Sequence, residues 1–143
     1  MNWKLIIQLS FFGLIMAFGT VSLIPEKTEW IFWLVIFAFC AVVIARSAGG
    51  KYFQHGFALS IFNSIWITVV HILFFNSYLS HHPDMSPANM GLPVYFASHP
   101  RLAMVLLALP FGIVFGVFQG LFAFIASKLV KPETRRRANG QRR

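Results

Sequence analysis

The sequence predicts an all-α protein, an integral membrane four-helix bundle with N and C termini cytoplasmic. Hydrophobic residues make up 57% of the chain and charged residues 11%, too little charge to cover a water-soluble fold of 143 residues. Four apolar runs, about 5–24, 29–46, 55–79 and 102–128, approach the length needed to cross roughly 30 Å of hydrocarbon. The third observation is the placing of Lys and Arg. Threaded four times, Lys4, Arg46, Lys51, Lys128, Lys131, Arg135, Arg136, Arg137, Arg142 and Arg143 share one side, and only Lys27 and Arg101 fall on the other. Basic segments stay in the cytoplasm, so both ends lie there, whereas three spans would spoil the asymmetry.

The first run, Leu5 to Ile24, opens with Trp3 and Lys4 and stops at Pro25. It is long for the apolar part of a signal peptide and no clean cleavage site follows, so it reads as a retained helix. Thr28 is then placed to cap the second helix, with Glu29 favouring its positive end. The apolar part of this helix, Trp30 to Ala45, is short for a span and should borrow length from Thr28 and Ser47. Its single cysteine, Cys40, forms no disulfide within the chain and reads as a small packing residue. The break at Arg46-Ser47-Ala48-Gly49-Gly50-Lys51 releases the chain through paired glycines.

The third run interrupts its apolar surface at helical spacing. Ser60, Asn63, Ser64, Thr68, His71 and Tyr78 fall within an arc of about 140° on an ideal helix. This polar seam is expected to face protein or trapped water, because unpartnered hydrogen-bonding groups are costly in hydrocarbon. From Ser80 to Pro100 the chain is proline-rich and free of Lys and Arg; within it, Leu92 to Phe96 is apolar enough to lie on the membrane surface. The fourth run carries Ala108, Gly112, Gly116 and Gly120, each four residues after the last, a glycine zipper that lets two helix backbones approach closely. The partner is expected within the chain, or else in a second copy. Pro110 frees the carbonyl of Leu106 and should bend the helix. Residues 1–131 thus form the membrane domain, and residues 132–143 a disordered basic tail.

Each chemical candidate has a structural reading beside it. His71, buried in the outer half of the layer, suits a proton relay, a haem ligand or a metal ligand. The preferred reading is a neutral imidazole bonded to a neighbouring helix, with the carbonyl freed by Pro110 at about its depth. Gln119, on the small-residue side, is expected to bond across to Ser60 or Asn63. A path through Gln119, Asn63, Thr68 and His71 contains no buried Asp or Glu, which argues against active transport. In the long loop, His81, His82, Asp84, Met85, Met90 and His99 include metal-ligating types, but their spacing matches no defined site and they read as polar loop residues. No metal is therefore assigned. The tail arginines lack aromatic interleaving, so they speak for anionic lipid and against nucleic acid. No P-loop, nucleophile elbow, HExxH or CxxC motif is present, which gives no support to an enzyme.

The stretches GGKYFQHGF, NSIWITVVHILFF and YLSHHP, with the HPR entry to the last helix, resemble small bacterial four-helix integral membrane proteins of unknown function. The resemblance covers residues 49–130 and implies four spans in a bacterial inner membrane, with no catalytic or binding residue to carry across. The expected function is that of a non-enzymatic accessory or assembly subunit, packing in the lipid bilayer as a homo-oligomer or with another membrane protein. The alternatives are a passive channel or small-solute transporter using the seam, and a haem- or quinone-binding redox subunit; no cofactor is assigned, with haem the one weighed.

Overall fold

A computed structural model describes residues 1–86, 89–91 and 93–130. Four long apolar helices pack together: α1 (Trp3–Ser22), α2 (Glu26–Ser47), α3 (Tyr52–Leu73) and α6 (Pro100–Leu129). Between α3 and α6 lie α4 (Phe75–His81), a 3-10 turn (Pro83–Met85) and α5 (Val94–Ser98). The four long helices are apolar and long enough to span a bilayer, which makes this a small multi-pass membrane protein. The basic tail from residue 132, with Lys131 and Leu92, lies outside the described residues.

The helix ends follow local chemistry. Asn2 caps α1 by accepting the Leu5 N–H at 3.1 Å. The second helix starts earlier than its apolar run, at Glu26 after an extended Pro25, so Thr28 is not its cap. Thr28 lies inside the first turn and its hydroxyl donates to the Pro25 carbonyl at 3.0 Å. Glu26 and Glu29 both sit in that first turn, where negative charge suits the helix dipole, and Glu29 accepts the Trp33 indole N–H at 2.9 Å. At the other end of α2, Gly49, Gly50 and Lys51 have φ of 65°, 146° and 52°. Glycine takes such angles freely, but Lys51 does so at a cost. Its carbonyl is held by both the backbone N–H and the ring Nδ1 of His55, at 3.1 and 2.8 Å.

Helix α3 sits between α1, which runs parallel to it, and α6, which runs antiparallel. The hydrogen bonds of Asn2 to His55 and Thr20 to His71 fix the first register, and that of Ser64 to Ala108 fixes the second. Helix α2 packs mainly on α6. All four helices meet in one core at the end where α1 and α3 begin, through Leu5, Ile6, Leu9, Cys40, Ala41, Ile44, Leu59 and Ala123. We call this the basic end, since Lys4, Arg46, Lys51 and Lys128 lie there, and the opposite one the loop end. Towards the loop end a smaller core joins only α1 and α3, through Ala17, Val21 and Val70. There α2 buries nothing before Phe37, and α6 buries no residue between Ala103 and Gly112.

One expectation about the helices changes. The third run does not continue as one helix to Leu79; it breaks at Phe74, with φ −105° and ψ 31°. Seven residues of straight helix separate two rings by about 10 Å along the axis. The break instead folds Tyr78 back until its ring lies 4.0 Å from that of His71. Pro110 lies inside α6, which runs as one helix of 30 residues from Pro100 to Leu129, so the residue expected to bend the helix does not end it.

Candidate functional site

The polar seam of α3 is brought together by two neighbours. Ser60, Asn63 and His71 are buried; Ser64, Thr68 and Tyr78 are half-buried. Ser64 donates to the Ala108 carbonyl of α6 at 2.8 Å, while Thr68 turns its hydroxyl back to the Ser64 carbonyl at 2.7 Å. The remaining cross-helix bonds of α3 go to α1. The Trp66 indole donates to Ser10 at 3.1 Å, the Asn2 N–H donates to His55 Nε2 at 2.9 Å, and His71 Nε2 lies 2.9 Å from the Thr20 hydroxyl. Thr20 has one proton and gives it to the Ala17 carbonyl at 3.1 Å. With that bond made, the tautomer that also completes the His71–Thr20 contact carries its hydrogen on Nε2 and donates it to Thr20.

At the loop end the rings of His71, Tyr78 and His82 form a stack, with successive centroids 4.0 and 4.6 Å apart. His82 is only 1% exposed. Its Nδ1–H donates to the Tyr78 carbonyl at 3.2 Å, and its Nε2 is buried with no protein partner. Beside the stack, the Arg101 guanidinium lies 5.3 Å over the Phe75 ring, a contact that lets a cation shelter its apolar flank.

Two more buried acceptors lack partners deeper in the bundle, Asn63 Oδ1 and Gln119 Oε1. Asn63 is pressed onto α1: a Cβ added to Gly13 would lie 2.3 Å from its Oδ1. Gln119 does not reach Ser60 or Asn63. Its amide donates to the Phe37 carbonyl of α2, at 3.3 Å. Nor does His71 bond the carbonyl of Leu106. Both expectations were counted across the antiparallel α3–α6 pair, and in each case a parallel neighbour offers the nearer group: Thr20 on α1 for His71, and Phe37 on α2 for Gln119.

The small residues of α6 lie against α3. A Cβ on Gly112 would come 3.0 Å from Ser64, one on Gly116 2.9 Å from the Phe57 ring, and one on Gly120 2.7 Å from the Phe53 ring. A further glycine stands in this contact from the other side. A Cβ on Gly56 would meet the Gln119 carbonyl at 2.5 Å and the Gly120 Cα at 2.9 Å, both backbone atoms.

Spacing within α1 also carried a signal that the α3 seam overshadowed. Ser10, Gly13, Ala17 and Thr20 recur at three and four residues, and all four are buried; small residues at that spacing mark a helix contact in lipid. Asn2 and His82 had no comparable pattern.

For ligand chemistry the geometry is restrictive. His71 Nε2 is turned onto Thr20 and one face of its ring is covered by Tyr78, so that nitrogen is not presented to a haem iron. In the long loop, His81 and His99 turn Nδ1 onto backbone carbonyls of their own segments. Among the described residues no three of His, Cys, Asp and Glu converge as metal ligands. No family model, curated protein or solved structure matches this chain. The four long apolar helices agree with what the resemblance to small bacterial membrane proteins implied, while no family is identified.

Proposed function

We propose that the protein is a non-enzymatic accessory or assembly subunit of a membrane complex, held with both termini in the cytoplasm of a bacterial inner membrane. The observation that supports it is the unequal packing of the bundle. At the basic end all four helices share a core, whereas at the loop end α1 and α3 close on each other and the first halves of α2 and α6 bury almost nothing. Trp30, Ile31, Phe32, Leu34 and Val35 of α2 are exposed. Helices that associate in lipid need close packing rather than greasiness, and this half of the molecule has large side chains that none of the described residues covers. A transmembrane helix of another subunit fits that gap.

The polar seam speaks less well for a passive channel, because its groups are already engaged: Ser64 with Ala108, Thr68 with Ser64, and His71 with Thr20. The orientation rests on the cations at the basic end, Lys4, Arg46, Lys51 and Lys128, against Lys27 and Arg101 at the other. Tail arginines beyond them suit contact with anionic lipid.

The test places a photoreactive amino acid at Phe32 or Val35 in the native membrane. A discrete crosslinked protein of fixed mass is expected at both positions, together with the same partner in native mass spectrometry of gently extracted material. Adducts to lipid alone, and a clean monomer in the spectrometer, would overturn the proposal. A crosslink of twice the chain's own mass would make the partner a second copy.

A further inference from the structure

Between the 3-10 turn and α6, no Asp, Glu, Lys or Arg occurs from Met85 to Pro100. Helix α5 stands in this uncharged stretch with Val94 85% exposed and Tyr95 61% exposed. Its polar groups are turned inward on the segment itself. The Ser98 hydroxyl lies 3.1 Å from the Val94 carbonyl and 2.9 Å from that of Tyr95. His99 Nδ1 bonds the Tyr95 carbonyl at 2.9 Å, and its ring stacks on Tyr95 at 4.8 Å. The carbonyls of Val94, Tyr95 and Phe96, which so short a helix leaves open, are thus satisfied locally, as suits a low-polarity boundary.

On its α6 side the segment runs directly into lipid-type surface. Leu102, Val105, Leu106 and Leu109 are exposed, and α5 packs on α6 itself. Arg101, the first charged residue after this stretch, leans its guanidinium over Phe75, the posture of a cation at a membrane boundary.

We propose that α5 is an interfacial anchor: Val94 and Tyr95 enter the headgroup region of the bilayer at the loop end, extending the lipid-facing surface of α6. Tyrosine suits this position because its ring is apolar and its hydroxyl reaches water or phosphate. The anchor holds the long loop down over the bundle end that carries the His71, Tyr78 and His82 rings.

This inference rests on the bilayer reading of α6, and one experiment separates the two. Nitroxide labels are attached to Val94→Cys, Tyr95→Cys, Leu109→Cys and Asp84→Cys in the full chain, reconstituted in vesicles of phosphatidylethanolamine and phosphatidylglycerol. Buried Cys40 remains in place, and the unsubstituted protein serves as the labelling control. Collision rates with oxygen and with a water-soluble nickel chelate are compared. Labels at Val94 and Tyr95 should favour oxygen several-fold more than the one at Asp84, approaching the ratio at Leu109. If Val94 and Tyr95 match Asp84 while Leu109 favours oxygen, the anchor is overturned and the bilayer reading stands; if Leu109 also favours the chelate, the bilayer reading itself fails. Exclusion of both reagents at Val94 would mean that protein covers α5, which also overturns the anchor.

Discussion

Helix α3 has two unlike faces, and the contrast between them explains much of the bundle. Towards α6 it meets glycines, and the closest approaches are to backbone or to the rings of Phe53 and Phe57. Towards α1 it meets hydrogen-bonding groups in register: Asn2 with His55, Ser10 with Trp66, and Thr20 with His71. The first face is specified chiefly by shape, with one bond from Ser64 to the Ala108 carbonyl, and the second chiefly by pairing, although Gly13 also closes on Asn63 there. In lipid neither gains from a hydrophobic drive, so each must contribute by contact or by bonds that would otherwise go unmade.

The largest expected effect tests the shape-specified face. Gly56→Ala places a methyl group 2.5 Å from a backbone carbonyl of α6, and neither helix can yield without separating. We expect a loss of about 3 kcal/mol or more, the upper range for overpacking a tight site, read as a lowered melting temperature in detergent. Gly116→Ala should cost distinctly less, because its nearest atoms belong to the Phe57 ring, which can swing. Equal losses at the two positions would mean that ring and backbone are equally fixed, and that closeness of the helix axes is not what Gly56 protects.

The two faces also differ in how far they could be read from the residues. Ala108, Gly112, Gly116 and Gly120 announce a close contact by spacing alone, since the requirement is local: a missing side chain every turn. Four long helices were legible for a similar reason, as hydrocarbon thickness sets their length. Pairings across helices depend on rotation and register, which no single run contains. A histidine in an apolar run needs a partner, but which one depends on α1 lying parallel to α3 with Thr20 at the same level. Likewise the break at Phe74 accompanies the stacking of His71, Tyr78 and His82, an arrangement that leaves no mark in the periodicity. Gly56 stands alone among larger residues of its helix, and what makes it necessary is the Gln119 carbonyl of α6, which the α3 run does not contain.

An intermediate effect tests the pairing-specified face. Thr20→Val keeps the shape of the side chain and removes the acceptor, leaving the His71 Nε2–H buried without a partner. The expected loss is about 1–2 kcal/mol, the cost of an orphaned donor tempered by the modest worth of single interhelical bonds in membranes. Thr20→Ser should be close to neutral. The double variant Thr20→Val/His71→Phe should recover part of the loss, since no donor is then stranded. Strictly additive losses in chemical denaturation of the four proteins would show that the two side chains act separately and that this face is not built from pairs.

The smallest effect is expected where a polar group sits in the bundle without being well used. Gln119 is wholly buried, its amide makes one long bond of 3.3 Å to the Phe37 carbonyl, and its Oε1 has no partner. Gln119→Met keeps the length of the side chain. It removes a weak interhelical bond of about 0.6 kcal/mol, and with it an unsatisfied carbonyl whose burial costs about 1 kcal/mol or more. The terms nearly cancel, so the melting temperature should stay level or rise slightly, unlike that of Thr20→Val. A clear fall would show that Gln119 Oε1 has a donor, such as a buried water. Pairing would then contribute between α6 and α2 as well, beyond the single bond of Ser64 to Ala108 that joins α6 to α3.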